Sequence, residues 1–235
     1  MNETLLKAAA LIVPLVFAIV FHEVAHGYVA KLLGDPTASD RKRLSLNPLR
    51  HVDPIGTVIL PGILALLKAP VFGWAKPVPV NKWRLRNPRS GMMLVAAAGP
   101  GTNLVMAGLG AVLLGLLARV FAGMGEPSAA SAFIAANLYW FIQINVFLAL
   151  FNLIPIPPFD GSHIVEGMLP RDLAERYAQL HRFGFTLVFL LLIVLPSLIP
   201  GFDLVGRYLI PPVTWMIDQY MSLATAVAGG APDKI

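Results

Sequence analysis

The chain has 235 residues, of which 57% are hydrophobic and 13% charged, with 20 glycines, 20 prolines and no cysteine. Soluble domains carry about 25% charged residues, so a disordered chain, a fibrous repeat and an ordinary soluble enzyme are excluded, as are disulfides and thiolate-held metals. The formal net charge of +5 reports membrane orientation before it reports a nucleic-acid partner, and no nucleic-acid-binding motif accompanies it.

From the N-terminus, the first apolar run, about residues 5–33, predicts a transmembrane helix. It is too long for a signal-peptide core, lacks a small-x-small cleavage site, and carries His22, Glu23 and His26. A polar stretch follows at 34–54, with Arg41, Lys42, Arg43 and Arg50 set against Asp35, Asp40 and Asp53. Residues 55–69 are apolar but few, and Pro61-Gly62 interrupts them. As a helix they would reach about 22 Å, short of a hydrocarbon core of about 30 Å, which predicts a re-entrant segment. Residues 73–89 hold Lys76, Lys82, Arg84, Arg86 and Arg89 and no acid, and Pro77-Val78-Pro79-Val80 is expected to be extended.

Further helices are predicted over 92–120 and 132–154, the second stopped by Pro155, Pro157 and Pro158. A short polar helix at 162–182, a fourth membrane helix at 183–199 and an apolar end at 202–221 containing Pro211-Pro212 complete the chain. The expected fold class is an all-α membrane protein. It is a polytopic bundle of about four to six transmembrane helices, with a re-entrant segment and short extended strands near the active site. It forms a single domain over 1–235, with its catalytic core at about 10–195. Basic residues put 34–54, 73–90 and Arg171, Arg176 and Arg182 on the cytoplasmic side, and leave the loop at Gly123-Met124-Gly125-Glu126 and the N-terminus outside.

His22-Glu23-Val24-Ala25-His26 carries the chemistry. Residues four apart share one helix face, so His22 and His26 can hold one Zn²⁺ through imidazole nitrogens at about 2.0–2.1 Å. Glu23 lies beside them as general base for a zinc-activated water. Each ionisable side chain within a membrane helix costs at least about 2.5–3.5 kcal/mol, so three in one helical turn mark function rather than packing.

The third ligand lies far away in sequence. A metzincin would need Gly and His where Val29 and Leu32 stand, and no Glu occurs between Glu23 and Glu126. The candidates are Asp53, Asp160, His163, Glu166, His51 and His181. Asp160 is favoured because the proline run before it gives a fixed exit from a membrane helix, Gly161 permits a tight turn, and the topology returns it to the half of the membrane that holds His26. Its competing role is a helix cap. His51, His163 and His181 are expected to be solvated or to sit behind the site.

The stretches Phe21-His22-Glu23-Val24-Ala25-His26-Gly27, Gly73-Trp74-Ala75-Lys76-Pro77-Val78-Pro79-Val80-Asn81, Ala98-Gly99-Pro100-Gly101-Thr102-Asn103 and Asn152-Leu153-Ile154-Pro155-Ile156-Pro157-Pro158-Phe159-Asp160-Gly161 together resemble the site-2 protease family of intramembrane zinc metalloproteases, in its small prokaryotic form without a PDZ or CBS domain. The resemblance implies His22, His26 and Asp160 as zinc ligands and Glu23 as the general base. It implies Asn152 as a residue that positions substrate or opposes the oxyanion. Gly99 and Asn103 fall in the family's small-residue helix motif, where close packing is the expected role of the glycines and Asn103 is a polar neighbour of the site.

The expected activity is hydrolysis of peptide bonds in membrane-spanning protein or peptide substrates, in the plasma membrane of a bacterium or archaeon, with the active site toward the cytoplasm. The expected partners are that substrate and the lipid bilayer, with no nucleic acid. The segments at 76–80 and 43–47 are expected either to hold an unwound substrate strand or to cover the site. The alternative is a non-proteolytic membrane metal-binding protein or metal-ion transporter, which would favour ligands spread over several helices with no dedicated base.

Overall fold

Four stretches are long and apolar enough to cross a membrane, Ala10–Leu32, Pro88–Phe121, Ala129–Asn152 and Arg171–Leu198. The structure, a computed structural model, describes residues 3–59, 62–63, 66, 73–122, 128–199 and 201–230. Helix α1 runs Glu3–Leu32, α2 Pro88–Phe121, α3 Ala129–Asn152 and α4 Asp160–Met168. Arg171–Leu198, here α5, is a broken run: an α-helix to Ala178, a 3₁₀ turn at Gln179–Phe183, and two short α-helices either side of a π turn at Leu190–Val194. The last helix, α6, spans Ile210–Ala228.

Helix α2 is the centre of the bundle, packed by α1, α3, α4 and α6. Its buried side is mostly small residues, Gly91, Ala96, Gly99, Ala107, Gly110, Ala111 and Gly115, with Val95, Pro100 and Asn103 among them. Small side chains let membrane helices approach closely where no hydrophobic force drives them together. The opposite side exposes Val105, Leu109, Leu113, Leu116 and Val120. An apolar stripe at three- and four-residue spacings, facing outward, is what lipid rather than water requires. The core proper gathers Ala107, Ala111, Ile142, Val146, Leu209, Val213 and Ala224 from α2, α3 and the α6 region.

Several expectations are revised. The polar helix expected over 162–182 is two helices broken at Leu169-Pro170, since proline is confined to a helix's first turn. Pro211-Pro212 likewise opens α6 instead of interrupting an apolar run. Among the described residues no strand forms. The segment 73–81 has no regular secondary structure, and Pro77 and Pro79 have no N–H to offer a neighbouring strand. Seven of the fifteen residues of the expected re-entrant segment lie outside the described residues, and its start forms a wide helical turn at Pro54–Ile59. The loop at 123–126 also lies outside them.

Candidate metal and peptidase site

His22 and His26 sit one turn apart on α1, with His26 about 9 Å from that helix's C-terminal end at 1.5 Å per residue. Both are buried, at 7% and 9% exposure. His26 Nδ1 contacts the carbonyl of Val95 at 2.7 Å. A carbonyl only accepts, so Nδ1 carries a proton and Nε2 is the ring nitrogen turned toward His22 and Asp160.

The same holds for His22 through a longer chain. Asn145 Nδ2 donates to the Phe141 carbonyl at 2.8 Å, so its Oδ1 is the atom that accepts from Asn103 Nδ2 at 2.7 Å. Asn103 Nδ2 also donates to the Ala18 carbonyl at 3.2 Å, which leaves Asn103 Oδ1 to accept from His22 Nδ1 at 2.6 Å. Asn103 and Asn145 have no exposed surface. The network thus assigns both tautomers. The two Nε2 atoms face each other at 3.0 Å.

Asp160 completes the group. Its Oδ2 lies 3.1 Å from His22 Nε2 and 3.4 Å from His26 Nε2, and it is buried without a hydrogen-bond partner. Burial pushes this carboxyl up, but the contacts with His22 and His26 outweigh it and hold it at about 2, so it is ionised throughout the physiological range. Nε2 of His22, Nε2 of His26 and Oδ2 of Asp160 converge on one point, and His₂Asp is a donor set suited to zinc.

Asp160 is not a helix cap. The cap position belongs to Phe159, with no side-chain hydrogen bond, and Asp160 is the first helical residue. Gly161 is needed for close approach, not for a special backbone angle: a Cβ there would lie 2.6 Å from the Ile154 carbonyl oxygen. Gly99 is a second close-approach position. A Cβ on it would lie 2.5 Å from His26 Cε1 and Nε2 and 2.6 Å from His22 Cε1.

Glu23 is half-buried and its Oε2 accepts the Val78 N–H at 2.8 Å. With proline on both sides, Val78 is the one residue of Pro77-Val78-Pro79 that can donate. The segment is anchored at several points. Lys76 N–H donates to the His51 carbonyl at 2.8 Å, Arg43 Nη2 to the Lys76 carbonyl at 2.8 Å, and Asn81 N–H to Asp35 Oδ2 at 2.6 Å. Asp35 is fully buried. Burial would raise its pKa, but the donors of Thr37 and Asn81 outweigh that and hold the carboxyl below the usual range. His51, expected to be solvated or to sit behind the site, is buried at 3% exposure, and its Nε2 meets the Ser45 carbonyl at 2.7 Å.

Asn152 Nδ2 donates to the Leu148 carbonyl of its own helix at 2.9 Å. Sequence reasoning does not single out Asn145, two turns earlier on α3. A buried amide inside an apolar helix is the available signal, but Asn137 and Gln143 share that helix and blur it. Behind the turn that delivers Asp160 lies an apolar cavity of about 300 Å³, lined among others by Leu153, Pro155, Ile156, Phe159, Leu191 and Tyr208.

Residues 114–195 match the family described as Peptidase family M50. The chain is 40% identical over 186 residues to the candidate zinc metalloprotease YwhC of Bacillus subtilis, covering 79% of this chain and 80% of that one. The chain belongs to this family. It is also 30% identical over 197 residues to the candidate zinc metalloprotease Rip2 of Mycolicibacterium smegmatis, 84% of this chain and 68% of the other. A third relative, the candidate zinc metalloprotease MJ0611 of Methanocaldococcus jannaschii, is 31% identical over 151 residues, 63% of this chain and 64% of its own. No solved structure matches. The M50 chain described here is an integral membrane zinc metalloprotease of the site-2 type. The family match itself includes Asn152 and Asp160 but begins beyond His22 and His26.

Proposed function

We propose that His22, His26 and Asp160 hold the zinc and that Glu23 is the general base for hydrolysis of peptide bonds in membrane-spanning substrates. The observation that carries this reading is the convergence of His22 Nε2, His26 Nε2 and the unpartnered Asp160 Oδ2 within 3.0–3.4 Å of one another. When bound, zinc supplies Lewis-acid polarisation of the scissile carbonyl and lowers the pKa of water.

The rest belongs to the chain's own residues. Asn103 and the Val95 carbonyl keep His22 and His26 in the tautomer that presents Nε2. The Val78 N–H holds one oxygen of Glu23, leaving the other to take a proton from water and pass it to the leaving amine. Asn152 has one amide hydrogen not engaged with Leu148 and is the donor we assign to the oxyanion or the substrate backbone. The apolar cavity beside Asp160 suits an aliphatic side chain of a membrane segment. The basic stretches at 34–54 and 73–89 support a cytoplasm-facing site under the positive-inside rule.

The 76–80 segment is read as a cover over the site, since Val78 N–H is already engaged by Glu23 and Lys76 N–H by His51. The metal-transport alternative is disfavoured by a carboxylate poised beside the metal ligands with its own backbone donor.

Two outcomes test the ligand assignment. Asp160→Ala is expected to lower the zinc content of the purified protein by about one equivalent, read by elemental analysis, and to abolish cleavage of a membrane-helix substrate. Unchanged zinc would refute the assignment. Asn103→Ala leaves His22 Nδ1 and Asn145 Oδ1 without partners. It is expected to weaken zinc binding by about 10–100-fold, measured by competition with a chelator, and to destabilise the bundle by about 1–3 kcal/mol.

A further inference from the structure

Among the described residues, a second group of metal-ligating side chains converges away from the site above: His163 and Glu166 on α4 and His181 in the 3₁₀ turn of α5. Their ligating atoms all lie within 4.8 Å of one another. Glu166 Oε2 stands 3.2 Å from His181 Nε2 and 3.5 Å from His163 Nδ1. Two donors bound to one tetrahedral zinc at 2.0–2.1 Å are about 3.3–3.4 Å apart, and both contacts bracket that spacing.

An ordinary His–Glu ion pair accounts for the group less well. His181 Nε2 is buried with no hydrogen-bond partner, although Glu166 Oε2 is 3.2 Å away. The oxygen lies out of line with an N–H bond on that nitrogen. The imidazoles stack with centroids 4.5 Å apart and planes 18° from parallel, so their in-plane lone pairs run nearly side by side, and binding one ion requires a ring to turn about its Cβ–Cγ bond. Spacing three apart sets His163 and Glu166 on one face of α4. Two imidazoles and a carboxylate are an established zinc donor set.

We propose that His163, Glu166 and His181 form a second zinc site, which ties α4 to α5 one helical turn from Asp160. It is a structural clamp on the short helix that carries Asp160, and it stands independently of the peptidase reading.

The test is zinc stoichiometry of the full-length protein in detergent, for wild type, Glu166→Gln, Asp160→Ala and the double variant. Two equivalents in wild type, one in each single variant and none in the double variant are expected. If Glu166→Gln keeps every wild-type equivalent, the second site does not exist. If wild type holds one equivalent that Asp160→Ala removes, the proposal likewise falls while the catalytic assignment stands. If that one equivalent is removed by Glu166→Gln instead, the second site stands and the catalytic assignment falls. His181→Gln provides the same reading should Glu166→Gln fail to fold. Cobalt(II) added to Asp160→Ala gives a check free of any change at the clamp, since tetrahedral d–d absorption there is expected and its absence would overturn the site.

Discussion

Glu23→Gln is expected to reduce cleavage of a membrane-helix substrate by about 10²–10⁴-fold, the usual contribution of a positioned general base, with zinc content equal to wild type. Glutamine is the informative replacement because its Oε1 can still accept the Val78 N–H that Glu23 Oε2 accepts at 2.8 Å. The segment over the site therefore stays in place and only the capacity to take a proton is lost. Glu23→Ala, by contrast, frees the Val78 N–H as well, so it is expected to lose both the base and the anchoring of the 76–80 segment. Wild-type cleavage by Glu23→Gln, measured by mass spectrometry of the products, would remove Glu23 from the chemistry.

Gly99→Ala is expected to lower activity sharply by displacing the proposed metal ligands, without replacing any ionisable residue. The new methyl would stand 2.5 Å from His26 Cε1 and Nε2 and 2.6 Å from His22 Cε1. Neither ring can swing aside freely, because each is tied through Nδ1 to α2 itself, His26 to Val95 and His22 to Asn103. The cost is either a buried hydrogen bond or a shift of α1 against α2, about 1–3 kcal/mol in stability. Misplacing the ligands by about 1 Å is expected to lower the rate by about 10²-fold or more. Zinc affinity should fall by at least about 10-fold. Gly101→Ala is the matched control, with nothing within 4 Å of its Cβ position. It is expected to retain zinc and cleavage and, as Gly→Ala in a helix, to be neutral or stabilising by up to about 1 kcal/mol. Equal zinc affinity in the two variants would show that Gly99 serves packing alone.

The first, second and third membrane helices are legible in the amino-acid sequence. Helices α1, α2 and α3 lie within a few residues of their expected limits, because span length and apolarity are local properties. The fourth is harder to read. Its expected limits of 183–199 cover only the later part of Arg171–Leu198, since a 3₁₀ turn and a π turn keep one continuous run from sharing one periodicity. The division between α4 and the start of α5 escapes the polar pattern of 162–182, although Pro170 announces it. Charge alone reads the basic residues at 41–50 and 76–89 as positive-inside anchors at the lipid surface. Arg43 and Arg50 instead donate to backbone carbonyls of Lys76 and Lys42, which no charge count reveals.

By itself the sequence determined the pairing of His22 with His26 and the placing of Glu23 beside them, because a helix converts a four-residue spacing into a shared face without help from the rest of the chain. The proline exit into Asp160 also pointed to a site residue. The tertiary structure alone decided what holds that motif: Asn103, 81 residues from His22, the Val95 carbonyl, 69 from His26, and the Val78 N–H, 55 from Glu23. Two of these three partners are backbone groups, which every residue carries and no sequence pattern distinguishes. The role of Gly99 was hidden for a related reason. A missing side chain has meaning only once something occupies its place, and the two imidazoles that do so come from another helix.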